Sequence, residues 1–237
     1  LPWWIWSRPK RGHSDTEYED AVAGRPDLGR FAIADGASES AFAGDWARCL
    51  VASFVAPPEP DPMSLAWFDT ARECLLSTLQ HRQLPWYLEE QIQQGAFATF
   101  LGLDLRPRDD RTWEWHACAV GDCCLFHLRD HDLLQAFPLE HSSEFHQRPE
   151  LVDSSQFQLP PLQRCHGQAH VGDVFLLATD ALAQWLLHRQ ERRQPLWSQW
   201  IDAASSGALP HIPESSDGLR NDDLTVVCVS IRPEGLP

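Results

Sequence analysis

Cationic charge is scarce in this chain: 19 Lys and Arg stand against 34 Asp and Glu, for a net charge of −15. That balance argues against nucleic acid or an anionic membrane surface as the main partner, because both select Lys/Arg stripes. It does not exclude a phosphorylated substrate, since bound divalent cations would invert the local potential. Long hydrophobic runs are missing too. The opening LPWWIW is apolar over six residues, too short for a signal-peptide core or a spanning helix, so no membrane insertion is expected. The seven Cys show no CxxC pair and no regular spacing. Cys118, Cys123 and Cys228 fall in apolar strand-like runs, where a reduced thiol packs as a small hydrophobe, and a reduced, cytoplasmic protein is expected. No internal repeat and no extended low-complexity tract occurs. There is one Met against eleven Trp, a ratio that carries no functional reading, and the chain does not begin with Met, which reads as a fragment of something longer.

What is present suffices for one domain with a sizeable core, at 237 residues and 43% apolar content. Strands are expected at Trp3–Trp6 and Phe31–Ala34, with Pro and Gly punctuating the stretch between them. Residues 39–55 present Phe42, Trp46, Leu50 and Phe54 at helical spacing, with Ser38 or Ser40 as the cap. PPEPDP (57–62) breaks that helix, and a second is expected over 64–81. Strand signals follow at Gly95–Leu105 and at Trp113–Ala119, where Trp113 and Trp115 share one face for core packing. Leu125–Leu128 continues after the Gly121-Asp122 turn as a hairpin-like unit. Residues 138–160 lack periodicity and read as a polar, mobile insertion, a candidate flap within a single domain spanning 1–237. A buried strand at Val174–Ala178, helices at Ala181–His188 and Pro195–Ser205, and a last strand at Leu224–Ile231 complete the reading. Strands outnumber helices and two helices come in succession, which favours an α+β fold with helices covering antiparallel sheets.

Four acidic residues sit at or beside the ends of these strands: Asp35 in FAIADG, Asp122 in CAVGDC, Asp180 in VFLLATDA and Asp222 in NDDLTVV; Glu19 and Asp20 lie in YEDA. Taken singly, each has an ordinary structural explanation. Asp-Gly is a common turn, Asp180 could cap a helix, Asp122 could belong to a hairpin, and Glu19-Asp20 could be solvated surface. Taken together, several strand ends carrying Asp would build an all-oxygen pocket of the kind Mg²⁺ and Mn²⁺ prefer. Gly36 would expose its own carbonyl as a further ligand where the chain turns. Asp104, Asp109 and Asp110 flank a turn and read as surface. His141 and His146 form at most a weak zinc pair, or touch a substrate from the flap. GASES does not fit a nucleophile elbow, so Ser38 and Ser40 are not read as nucleophiles.

The order and wording of these segments resemble the metal-dependent protein Ser/Thr phosphatases of type 2C, over nearly the whole chain. YEDA resembles the family's E-D-A opening, ADG its metal-bridging Asp-Gly, and AVGDC its V-G-D-S turn. GDVFLLATDAL resembles its G-D-x-x-x-L-x-S/T-D-G-L segment, and NDDLTVV its D-N-x-T-V-V ending. DGASES, the aromatic-rich helix after it and the insertion look most like a bacterial branch. The resemblance implies a β-sandwich of two antiparallel sheets flanked by helices, with metals at one end. It implies two Mn²⁺ or Mg²⁺ ions and an optional third. Asp35 would bridge two metals, the Gly36 carbonyl would bind one of them, Asp180 and Asp222 would complete the other metal's shell, Asp122 with Asp180 would sit near the third ion, and Glu19 and Asp20 would hold metal-bound waters. The implied reaction is hydrolysis of phosphoserine or phosphothreonine on a protein substrate by a metal-activated water, without a covalent nucleophile.

The chain departs from the family at several points. Ala37 replaces a His found in several members, Ala181 replaces the Gly after the late Asp, and Asp223 replaces an Asn. The early phosphate-binding Arg has no clear counterpart; Lys10 and Arg11 are the nearest cations, with solvated surface charge as their other reading. Ala37, Ala181 and the missing Arg motivate a second hypothesis, a catalytically weak pseudophosphatase acting as a partner-binding module. A third is an enzyme dedicated to one anti-anti-sigma-like partner in a signalling operon. A cognate kinase is a further candidate partner.

Overall fold

The structure, a computed structural model, describes residues 1–38, 40–56, 66–80, 82, 94–146, 148–156, 161–206, 210, 212 and 218–232. Among the described residues, eleven strands form two antiparallel sheets. The first contains β1 (Trp3–Arg8), β11 (Leu224–Ser230), β10 (Val174–Ala178), β6 (Cys124–Arg129) and β7 (Asp132–Phe137), in that spatial order. The second runs β2 (Ala21–Arg25), β3 (Arg30–Gly36), β4 (Phe97–Pro107), β5 (Thr112–Val120) and β9 (Gln163–His170), with the short β8 (Val152–Asp153) paired to the start of β4. Helices α1 (Ala43–Val55) and α2 (Ala66–Gln80) cover the second sheet, and α3 (Asp180–Glu191) and α4 (Trp197–Ser206) cover the first. Among the described residues no helix is long and apolar enough to cross a membrane.

The two-residue period of the central strands explains the layering. On β4, Leu101, Leu103 and Leu105 point between the sheets and meet Phe31, Ile33, Trp115, Phe175, Val227 and Val229. The alternate residues Ala98 and Phe100 point the other way, toward Trp46, Leu50 and Phe54 of α1 and Trp67 of α2. β11 divides likewise: Val227 and Val229 face the other sheet, while Leu224, Val226 and Cys228 face α3 and α4. Strands buried on both faces read as continuous apolar runs, and each such side chain contributes about 1.5–3 kcal/mol by leaving water. Tryptophan supplies much of this volume. Trp46, Trp115, Trp185, Trp197 and Trp200 are fully buried, and Trp4 stacks on Trp200 with centroids 6.0 Å apart.

Several expectations need correction. β5 and β6 do not form a hairpin: β5 pairs β4 and β9, β6 pairs β10 and β7, and the Gly121–Cys123 turn crosses from one sheet to the other. The α1 helix starts at Ala43, with Phe42 in a left-handed conformation as its N-cap; neither Ser38 nor Ser40 caps it, and Ser40 instead donates to the Ala37 carbonyl. The expected second helix survives as α2, its two ends at 64, 65 and 81 lying outside the described residues, as does the 57–62 breaker apart from its position in sequence. β2, β7 and β9 carried too many polar or small residues to register as strands. Asp104 is buried rather than surface, because Arg30 (Nε–Oδ1 3.4 Å) and Arg106 (Nε–Oδ2 2.6 Å) converge on it. The described residues 138–146 and 148–156 are tied to the rest of the fold. Ser142 donates to Glu191 on α3 through its backbone N–H (2.8 Å) and receives Gln184 at its carbonyl (3.2 Å), while β8 docks on β4; 157–160 lie outside the described residues.

Candidate metal and phosphate site

Each acidic residue reaches one end of the sandwich by a different local device. Asp35 and Gly36 close β3, held in register opposite Thr99 and Ala98 of β4. Gly36 is required for space rather than for a turn. A Cβ there would stand 2.8 Å from the Ala43 carbonyl carbon and 3.0 Å from the Glu19 carbonyl oxygen, so only glycine lets the start of α1 and the Tyr18–Asp20 segment close over β3. Asp122 occupies the turn between the sheets. Gly121 before it has φ +90°, and a Cβ would meet Thr99 Cγ2 at 2.6 Å and the Glu150 carbonyl at 2.7 Å. Asp180 is the first residue of α3 and Thr179 is its N-cap. One carboxylate oxygen of Asp180 accepts the Ala181 N–H, where the helix N-terminus favours a negative charge. Ala181 is itself helical, so the Cβ it adds meets no backbone strain. Asp222 precedes β11 and accepts the Asp223 N–H at 3.0 Å.

Asp35, Gly36, Asp122, Asp180 and Asp222 line one cavity of about 800 Å³, together with Ala37, Ser38, Thr99, Arg148 and Leu151 among others. Asp20 lies beneath this lining, 4% exposed. Its Oδ2 accepts Thr225 Oγ1 at 2.5 Å, while its Oδ1 is buried and has no hydrogen-bond partner among the described residues. Burial pushes Asp20 up to about 7, with Asp223 and Asp180 adding repulsion. Burial and then Asp180 push Asp122 up to about 7, and burial followed by Asp20, Asp180, Asp122 and Asp222 holds Asp35 well above the usual carboxylate range. Asp180 is raised by burial as well, against the pull of Arg220, whose guanidinium donates to its other carboxylate oxygen.

Glu19 and the two N-terminal cations are placed differently. The Glu19 carboxylate accepts Ser38 Oγ, and Lys10 Nζ donates to the same hydroxyl at 3.2 Å, so both meet the cavity through Ser38. Arg11 turns away to Asn221 Oδ1, to which its backbone N–H donates at 2.8 Å. Three roles escaped sequence reasoning. Asp223 is a buried brace, its two oxygens taking the N–H groups of Lys10 (2.8 Å) and Glu19 (3.1 Å) and so pinning the acidic N-terminal segment to β11. Arg220 is the counter-charge to Asp180. Arg148 lines the cavity from the 138–156 segment, and no local pattern marks it. His141 approaches Glu191 at 3.8 Å and is exposed, on the side of the segment facing α3.

The donor set suits a hard divalent cation. It is all oxygen, its carboxylates disfavour ionisation in one another's company, and one buried carboxylate oxygen has no donor. Among the described residues no three His, Cys, Asp or Glu side chains are grouped closely enough to hold an ion as they stand, and Asp180 is paired with Arg220.

The fold is that of the type 2C protein phosphatases. The chain is similar in structure to the Mycobacterium tuberculosis serine/threonine phosphatase PstP/Ppp, with TM-score 0.58, 16% identity and 98% of each chain covered. It is similar to PppA, a regulatory component of the type VI secretion system in Pseudomonas aeruginosa, with TM-score 0.58, 17% identity and 97% of each chain covered. It is also similar to the PstP catalytic domain in complex with two manganese ions, with TM-score 0.56, 16% identity, and 97% of this chain and 98% of that one covered. No protein-family model and no curated protein matches the sequence.

Proposed function

We propose that this chain is a metal-dependent protein Ser/Thr phosphatase that hydrolyses phosphoserine or phosphothreonine on a protein substrate. The observation that carries the reading is the convergence of Asp35, Asp122, Asp180 and Asp222 on one cavity from four separate strand ends. The similar PstP domain with two manganese ions supports Mn²⁺ or Mg²⁺ as the cofactor. Asp35, the Gly36 carbonyl, Asp180 and Asp222 would hold the ions, with Asp122 serving an optional third. When bound, such ions supply charge neutralisation for the phosphoryl group and acidify a water.

The protein's own groups do the rest. Asp20, with its buried Oδ1 lacking a donor, would accept a hydrogen bond from a water held in the cluster and orient it. Glu19, tied to Ser38, serves the same water network from the rim. Arg148, which lines the same cavity, donates to the substrate phosphate, and Lys10 assists through Ser38. With Ala at position 37, the leaving-group proton comes from water rather than from a His at that position. A cytoplasmic, bacterial signalling role, with a cognate kinase or operon partner, is the setting that fits the reading and the described similarities.

The ion pair between Arg220 and Asp180 favours a second reading, a weak pseudophosphatase that binds its partner without turnover. One experiment separates the two: hydrolysis of p-nitrophenyl phosphate and a phosphothreonine peptide across a Mn²⁺ titration, for wild type, Asp35→Asn and Asp180→Asn. A phosphatase gives metal-dependent turnover that falls by ~10²-fold or more in either variant. Metal binding without turnover selects the pseudophosphatase, and wild-type rates in Asp35→Asn remove the metal assignment.

A further inference from the structure

Cys49 on α1 and Cys74 on α2 bring their sulfur atoms to 2.7 Å, closer than two non-bonded sulfurs rest. Cys49 is buried and Cys74 is partly open to solvent. The helices that carry them each touch a segment next to the acidic cavity. The first turn of α1 packs on Gly36 and on the backbone of Glu19. Arg72 of α2 donates from Nε to the Ser154 carbonyl at 3.1 Å, a few residues beyond the cavity-lining Arg148–Leu151 stretch. Arg82, just past α2, grips Asp45 of α1 with two hydrogen bonds of 2.6 and 2.9 Å, so the helix pair is already held in register.

We propose that Cys49 and Cys74 are a modification site: a reversible disulfide that staples α1 to α2. The oxidant is a small-molecule disulfide of the glutathione class. The Cys74 thiolate, the more accessible sulfur, attacks it, forming a mixed disulfide and releasing one equivalent of thiol. Cys49 then loses its proton to water and attacks the Cys74 sulfur, forming the intramolecular bond and expelling the second thiol; two protein thiols are oxidised and one external disulfide is reduced. Burial, with Cys74 as the next contributor, pushes the Cys49 thiol up to about 12, which keeps it from meeting oxidant first; its place beside the Cys74 sulfur is what lets it resolve the mixed disulfide. This site stands independently of the phosphatase reading.

The test is incubation of the full chain with oxidised glutathione, followed by thiol counting under denaturing conditions, peptide mapping and thermal unfolding. The expected result is a drop of two from the seven thiols, a cross-link mapped to Cys49–Cys74, complete reversal by dithiothreitol, and a Tm higher by several degrees. Cys49→Ser should stop at a mixed disulfide on Cys74, and Cys74→Ser should lose no thiol at this pair. Amide exchange over 152–156 should slow on oxidation. Seven surviving thiols, a cross-link mapped to other cysteines, or an unchanged Tm in the cross-linked chain would overturn the proposal.

Discussion

Replacing Asp20 by Asn should stabilise the metal-free protein and destabilise the metal-loaded one. In the absence of cations Asp20 is a buried carboxylate with one oxygen unpartnered, and burial followed by repulsion from Asp223 and Asp180 raises it from 3.8 to about 7. A carboxyl whose folded value lies above its unfolded value holds its proton more tightly when folded. Its penalty is therefore absent below about pH 4, grows as pH rises, and is complete above about pH 7. A rise of about three units corresponds to about 4 kcal/mol, and because the neighbouring carboxylates share the same repulsion, roughly half to all of that is recoverable in one substitution. For a chain of this length 1 kcal/mol moves Tm by about 2–4 °C, so the expected gain at pH 8 in chelator is about 5–15 °C. Asn keeps the shape, can still take the Thr225 hydroxyl, and can donate toward Asp35. Differential scanning fluorimetry at pH 4 and pH 8, with chelator and with Mn²⁺, measures all four corners. The gain should vanish at pH 4 and invert with Mn²⁺, where the lost carboxylate weakens the cluster. A lower Tm for Asp20→Asn in chelator at pH 8, or an equal gain at both pH values, would refute the electrostatic reasoning.

Two further substitutions probe other parts of the account. Arg220→Gln releases Asp180 from its ion pair and should tighten Mn²⁺ binding a few-fold by isothermal titration calorimetry, an effect of ~1 kcal/mol for a pair of this exposure; unchanged or weaker affinity would show that the guanidinium does not compete with the cation. Gly102→Ala places a Cβ 2.5 Å from the Phe54 ring and should cost about 1–3 kcal/mol in denaturant unfolding without altering metal affinity.

Much of the fold was legible because its central strands are apolar on both faces. FAIA, FLGLDL, VFLLA and LTVVCV announce strands, and the Phe42–Trp46–Leu50–Phe54 spacing announces a helix face. The strands that escaped notice are those whose composition does not reveal them: β2 with a Gly, β7 at a sheet edge, and β9 with polar residues over most of its length. The hairpin expected around Asp122 failed because a Gly-Asp turn looks the same whether the next strand pairs with the last one or joins the facing sheet. Asp104 looked like surface because nothing near it in sequence shows that Arg30, on a neighbouring strand, stands beside it.

The sequence by itself determined which carboxylates end strands, and in what order, because strand periodicity and the glycines around Asp35 and Asp122 are local properties. Convergence was decided by tertiary structure alone. The sheet switch at Gly121–Cys123, the closure of α1 over Gly36 and the docking of β8 on β4 bring Asp35, Asp122, Asp180, Asp222 and Arg148 around one cavity. Whether each acid is paired, buried or open also belongs to the folded state. Asp223 is braced by two backbone N–H groups, Asp180 is held by Arg220, and Asp20 is left with an oxygen free, because desolvation and hydrogen bonding depend on neighbours brought together from up to 213 residues apart.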